Sequence, residues 1–201
     1  MLKIEHLTKV YSNGKKAVDD LSLMVEPGDI YGFIGANGAG KTSTIKSIVG
    51  IHDFDKGEIY ICGHSIRKEP LLCKKKMAFL PDNPDLYKNL TARQFLDFVA
   101  DIYRVSMEKR QAAIEKYSKM FELDTSLDQL ISAYSHGMKQ RLALIAALLH
   151  EPELLILDEP FVGLDPRGAY YFKQIIKRAS QSRACDFLFY SRFRGCGRTL
   201  Q

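Results

Sequence analysis

The stretch that most constrains this chain is "IYGFIGANGAGKTSTIKSIVG", residues 30–50. A short apolar run rich in strand-favouring residues, Ile30–Ile34, leads into a glycine-rich loop. Gly35–Thr42 reads GANGAGKT and fits the spacing GxxxxGK[ST]. A helix-forming segment follows and ends at Gly50, a residue suited to the left-handed turn that closes a helix. Strand, loop and helix in this order form a cradle for phosphate. Glycines let successive N–H groups point inward, and the helix N-terminus adds a positive dipole. Lys41 is then placed for the β- and γ-phosphates and Thr42 for Mg2+.

A second pattern completes the chemistry. "ELLILDEP" is a nearly all-apolar run ending in acids, as expected of a buried parallel strand. Asp158 at its end suits a metal-organising carboxylate. Glu159 suits a proton acceptor for an attacking water. A third segment, "YSHGMKQR", opens a helix at Ser135. Ser135 can simply cap that helix, or it can join the bare N–H groups behind it in holding phosphate. The residues alone leave both readings open.

Around these motifs the hydrophobic period alternates between strand and helix. "LKIEHLTKVY", "AVDDLSLMV", "GEIYICG" and "KMAFLP" read as strands, and "CKKKM" as a solvated edge or loop. "TARQFLDFVADIY" reads as a helix with a Thr91–Gln94 capping box and one apolar face of Phe95, Phe98, Val99 and Ile102. Two more helices follow, "SMEKRQAAIEKYSKMFEL" and "GMKQRLALIAALLH". "PRGAYYFKQIIKRAS" is a last helix with Pro at its start. The expectation is an α/β fold: a mostly parallel central sheet with an antiparallel β edge and an inserted α-helical subdomain. The predicted layout is a nucleotide-binding core over 1–84, the helical subdomain over 85–150, the returning core over 151–180 and an atypical tail over 181–201.

Composition narrows the class of protein. The net charge of +5 on 201 residues includes +3 from the last 19, so no nucleic-acid surface is expected. The longest apolar run, Leu142–Leu149, is too short to span a bilayer, and the N-terminus carries no secretory pattern. Cys62, Cys73, Cys185 and Cys196 show no metal-ligand spacing and read as reduced thiols, structural or incidental.

Taken together, these motifs resemble the ATP-binding subunit of an ABC transporter. GANGAGKT is similar to the family's Walker A motif, LLILDE to Walker B, YSHGMKQ to the signature and Gly163–Pro166 to the D-loop. Its stretch "LPDNPDLYKNLTARQFL" is most similar to the branch serving bacterial ABC-2-type exporters. The resemblance implies a nucleotide site of Tyr11, which would stack on adenine, with Gly35, Ala36, Asn37, Gly38, Ala39, Gly40, Lys41, Thr42 and Ser43. It implies Lys41 and Glu159 as catalytic groups, and Thr42 and Asp158 as Mg2+ partners. Ser135, His136, Gly137, Met138 and Gln140 would face the ATP of a second ATPase subunit, and Asp165 marks the D-loop. Asp82 stands where the family usually has the Q-loop glutamine; it can accept a hydrogen bond but not donate one. The expected cofactors are ATP and Mg2+. The expected partners are a transmembrane permease and a second ATPase subunit, with no nucleic acid. The expected location is peripheral, on the cytoplasmic face of the membrane.

The tail departs from the family. Residues 183–201 hold four Arg, no Lys and no His, where the family carries a phosphate-contacting His. Read one nucleotide later, Phe189–Arg192 permits Ser-Thr-His, so a shift of reading frame near Gln181–Arg183 is expected. On that reading this polypeptide binds nucleotide but hydrolyses it poorly, while its apolar "DFLFY" can still form a strand. The rival readings are a soluble ABC ATPase uncoupled from transport and a hydrolysis-impaired nucleotide-binding module.

Overall fold

A computed structural model describes residues 1–36, 38–158, 161, 164–181 and 186–191, with backbone alone for Ile34, Ala179, Ser180 and 186–191. The first elements are β1 (Leu2–Val10), β2 (Lys16–Val25), β3 (Ile30–Ile34), α1 (Lys41–Ile48), β4 (Lys56–Ile61) and β5 (His64–Ser65). Next come α2 (Pro70–Lys76), β6 (Met77–Leu80), α3 (Ala92–Ile102), α4 (Met107–Met120) and α5 (His136–Leu148). The chain returns through β7 (Leu154–Asp158), α6 (Pro166–Gln181) and β8 (Asp186–Ser191).

Among the described residues the strands form an antiparallel sheet and a parallel sheet of four strands each, which realises the expected parallel centre with an antiparallel β part. The first is antiparallel, in the order β2-β1-β4-β5. In β1 the alternation puts Leu2 and Ile4 inside, and period two would next bury His6. Instead His6 turns to φ 52 and the register with β2 shifts between Ile4 and Leu7, so Leu7 takes the inward place. An irregular pairing thus spares the core an imidazole.

The second sheet is wholly parallel, in the order β3-β8-β7-β6. The apolar "DFLFY" therefore forms a strand, and an interior one, paired with β3 on one side and β7 on the other. The ten residues that follow lie outside the described residues. β7 shows why a parallel strand is apolar on both faces. Its Leu155 and Leu157 join the core of the helical subdomain, while Leu154 and Ile156 join the core around α1 and the antiparallel sheet.

The helical subdomain grows out between β6 and β7. α3 begins with the expected capping box: the Thr91 hydroxyl accepts from Gln94 N and the Gln94 side chain accepts from Thr91 N. Its buried face differs from the expected one. Ala92, Phe95, Leu96 and Ala100 pack inward, whereas Phe98 and Ile102 are 42% and 59% exposed. The helix carries two apolar strips, and the core covers only one. "CKKKM" also differs: Cys73 is fully buried on α2, and Lys74–Lys76 complete that helix. Pro70 starts it, and the three cations favour its negative C-terminal end.

Candidate functional site

The parallel sheet brings the glycine-rich loop, Asp158 and Asp82 to the carboxyl ends of its strands. β3 runs straight into the glycine-rich loop, whose exit is the N-terminus of α1. Register pairs Ile34 with Ser191 and Asp158 with Tyr190, so the loop and Asp158 leave the same sheet edge with one strand between them. At the usual strand spacing that is about 10 Å across. Asp82 lies two residues beyond Leu80, which pairs with Leu157, and so stands on this edge as well.

The loop holds its shape through backbone that only glycine adopts readily. Gly40 is the N-cap of α1 at φ 82, ψ 1, and a Cβ there would come within 2.0 Å of the Ala17 carbonyl on β2. The first turn closes from Thr44 N and Thr44 Oγ1 to the Gly40 carbonyl, at 2.8 and 3.0 Å. α1 has neither an acid in its first turn nor a side-chain cap, so nothing negative from its own first turn opposes its positive N-terminal end. Lys41 is only 5% exposed and its ammonium curls into the loop, donating to the Gly35 carbonyl and, at 2.5 Å, to the Ala36 carbonyl. The ammonium therefore rests on carbonyl oxygens of the loop. Thr42 is exposed beside it, on the opening turn of the helix.

Tyr11 closes one side. The turn after β1 fixes its backbone: Tyr11 N donates to the Lys15 carbonyl at 2.9 Å, and Gly14 N to the Tyr11 carbonyl at 2.8 Å. Its hydroxyl lies 2.9 Å from Ser43 Oγ, so the ring is tied to α1. His52, which nothing in the sequence singled out, also reaches this hydroxyl.

The signature segment begins α5. Ser135 is its N-cap and accepts from Met138 N at 3.2 Å, which realises the capping role; Ser135 and His136 are exposed and Gly137 and Met138 half-buried. Gln140 behaves otherwise: it is fully buried, so in this conformation its side chain adds nothing to the exposed surface. The segment is anchored from behind. Tyr134 donates its hydroxyl to the Ser126 carbonyl at 2.7 Å, and burial, helped by Asp128, raises its phenol above the ordinary range. Arg141 donates to the Phe121 carbonyl at 3.0 Å. Asp165 accepts from Gly168 N at 3.1 Å and stabilises the start of α6, and Arg167 next to it meets Glu122 at 2.6 Å. Asn37, Glu159 and Gly163 lie outside the described residues.

An α/β core with a glycine-rich loop before α1, an acid-ended strand two places across the parallel sheet and an inserted helical subdomain defines a P-loop nucleotide-binding protein. The comparisons give its family: the profile described as ABC transporter matches residues 18–162. The chain belongs to the ATP-binding proteins of ABC transporters. It is 40% identical over 183 residues to the bacitracin transport ATP-binding protein BcrA of Bacillus licheniformis, covering 91% of this chain and 58% of that protein. It is 36% identical over 166 residues to the ABC-type transporter ATP-binding protein EcsA of Bacillus subtilis, covering 83% of this chain and 67% of that one. A solved ATP-binding subunit of an ABC transporter superposes with a TM-score of 0.91 at 30% identity, over 96% of this chain and 80% of that chain. The chain thus spans about three-fifths of the BcrA length.

Proposed function

We propose that the chain binds ATP at the Gly35–Ser43 loop and hydrolyses it to drive transport through a separate membrane subunit. The observation that carries this is the buried Lys41 ammonium inside a glycine loop, at the sheet edge that also presents Asp158. Lys41 would leave the Gly35 and Ala36 carbonyls for the β- and γ-phosphates, while the α1 amides hold the remaining charge. Tyr11 offers an aromatic face for adenine. Glu159, next to Asp158, takes the proton as water attacks the γ-phosphorus and the bond to ADP breaks.

The donors fit Mg2+. Thr42 supplies a hydroxyl and Asp158 a carboxylate, both hard oxygen ligands. Among the described residues no cluster of three or more His, Cys, Asp or Glu could hold a metal by itself. Bound Mg2+ would neutralise charge on the transferring phosphate.

The exposed start of α5 at Ser135 and His136 suits a head-to-tail partner that closes over ATP, as an identical subunit would. The second apolar strip of α3 suits a permease segment: Tyr87 and Phe98 meet edge to face, with centroids 5.5 Å apart, and both are exposed with Ile102. Among the described residues no helix is long and apolar enough to cross a membrane. BcrA and EcsA are transporter ATP-binding proteins by name, which supports the transport reading over an uncoupled ATPase.

Slow hydrolysis should trap the closed pair. With Glu159→Gln, ATP and Mg2+ are expected to convert the purified monomer into a dimer, seen by light scattering after size exclusion. A variant that stays monomeric at saturating ATP would contradict the head-to-tail mechanism.

A further inference from the structure

We propose that His52 is a positioning residue for the base half of the nucleotide site: it braces Tyr11 so that the ring is pre-set to receive adenine. This rests on the ATP-binding reading above. The segment between α1 and β4 is stitched to the end of β1 at three successive points. Asp55 N donates to the Thr8 carbonyl at 2.9 Å, and Val10 N donates to Asp55 Oδ2 at 2.7 Å. The third point is His52, whose Nδ1 lies 3.4 Å from the Tyr11 hydroxyl, with the two rings edge to face at 6.1 Å and 88°. His52 is itself held from below, since Ile51 N and His52 N both donate to the Lys46 carbonyl at 2.8 and 3.0 Å.

These contacts fix Tyr11 in different ways. Ser43 takes its hydroxyl toward the phosphate loop, and His52 stands perpendicular to the ring and shares the same hydroxyl. Lys9 Nζ stands over the ring at 5.6 Å from its centroid. An edge-to-face contact leaves ring surface available for stacking. A ring held at its hydroxyl and by a perpendicular neighbour loses little freedom when a base arrives, which is where preorganisation adds affinity. The phosphate cradle is built from other residues, Gly35–Thr44, so the brace acts on the base and leaves the phosphates alone.

The experiment compares two probes, ATP and inorganic tripolyphosphate, by calorimetric titration of the whole 201-residue chain and its variants. His52→Ala is expected to weaken ATP roughly 2- to 10-fold, the size of one lost edge-to-face contact. Tripolyphosphate affinity should stay within about 2-fold, which also shows that the variant is folded. His52→Asn, with an acceptor on a shorter side chain, should recover part of the loss. The proposal is overturned if His52→Ala binds ATP as the unsubstituted chain does, or if it loses both probes alike. Failure of the unsubstituted chain to bind ATP would instead overturn the nucleotide reading, and the brace with it.

Discussion

Gly40→Ala tests the phosphate loop through its backbone. Two glycines of the loop share nearly the same left-handed conformation, with φ 83 at Gly38 and φ 82 at Gly40. An L-residue in that region costs about 1–2 kcal/mol, partly offset by about 0.4–1 kcal/mol because the unfolded chain also loses freedom. Gly38→Ala meets nothing within 4 Å and should therefore cost only about 1 kcal/mol. At Gly40 the new Cβ would sit 2.0 Å from the Ala17 carbonyl oxygen and 3.1 Å from its carbon. That neighbour is backbone of β2, so the strand or the loop has to move, which adds about 1–3 kcal/mol. Gly40→Ala should then cost about 2–4 kcal/mol in all. The chain has no Trp, so urea unfolding is best followed by far-ultraviolet circular dichroism, with the midpoint and slope compared between variants. Equal stability of the two variants within about 0.5 kcal/mol would refute the claim that the loop is pressed against β2.

Other consequences are equally direct. Thr91→Ala removes the hydroxyl half of the α3 capping box and should lower stability by about 1 kcal/mol in the same urea assay. Tyr134→Phe strips the donor from the Ser126 carbonyl and should cost about 1 kcal/mol, without changing the affinity for tripolyphosphate. His150 stacks on Tyr103 at 3.7 Å and bonds the Met77 carbonyl at 3.2 Å. Burial holds it below its ordinary value, with the Met77 carbonyl opposing. The unfolded chain therefore takes up this proton first on acidification, so its contribution is complete above about pH 6.5 and is lost as pH falls. His150→Asn should flatten that part of the stability profile between pH 7 and 5, and an unchanged slope would disprove it.

Much of this architecture is legible in the sequence because local rules and global packing agree. The loop needs glycine, a following lysine and a strand before it, and all three are consecutive in the chain. Thr91 and Gln94 announce the start of α3 in the same local way. What escapes depends on tertiary choice. Phe98 and Phe95 both fit a helical period, and nothing local tells which strip the core will cover. Lys74–Lys76 look like a solvated edge until Cys73 is seen buried on the same short helix. Leu7 turns inward only because His6 breaks the register. His52 has no signature of its own: its place beside Tyr11 comes from the stitching of Asp55 to β1, 45 residues away at Val10. Gln140 reads as part of a recognition motif, yet its helix turns it fully inside.

On the proposed function, Lys41 and its glycine loop bind the phosphates of ATP. Calorimetric titration of ATP with Mg2+ into the purified chain and into Lys41→Ala measures this. Saturable binding that weakens at least about tenfold in the variant, the scale of a lost charge-assisted contact, is the predicted result. Equal binding by both proteins, or none by the unsubstituted chain, would contradict it.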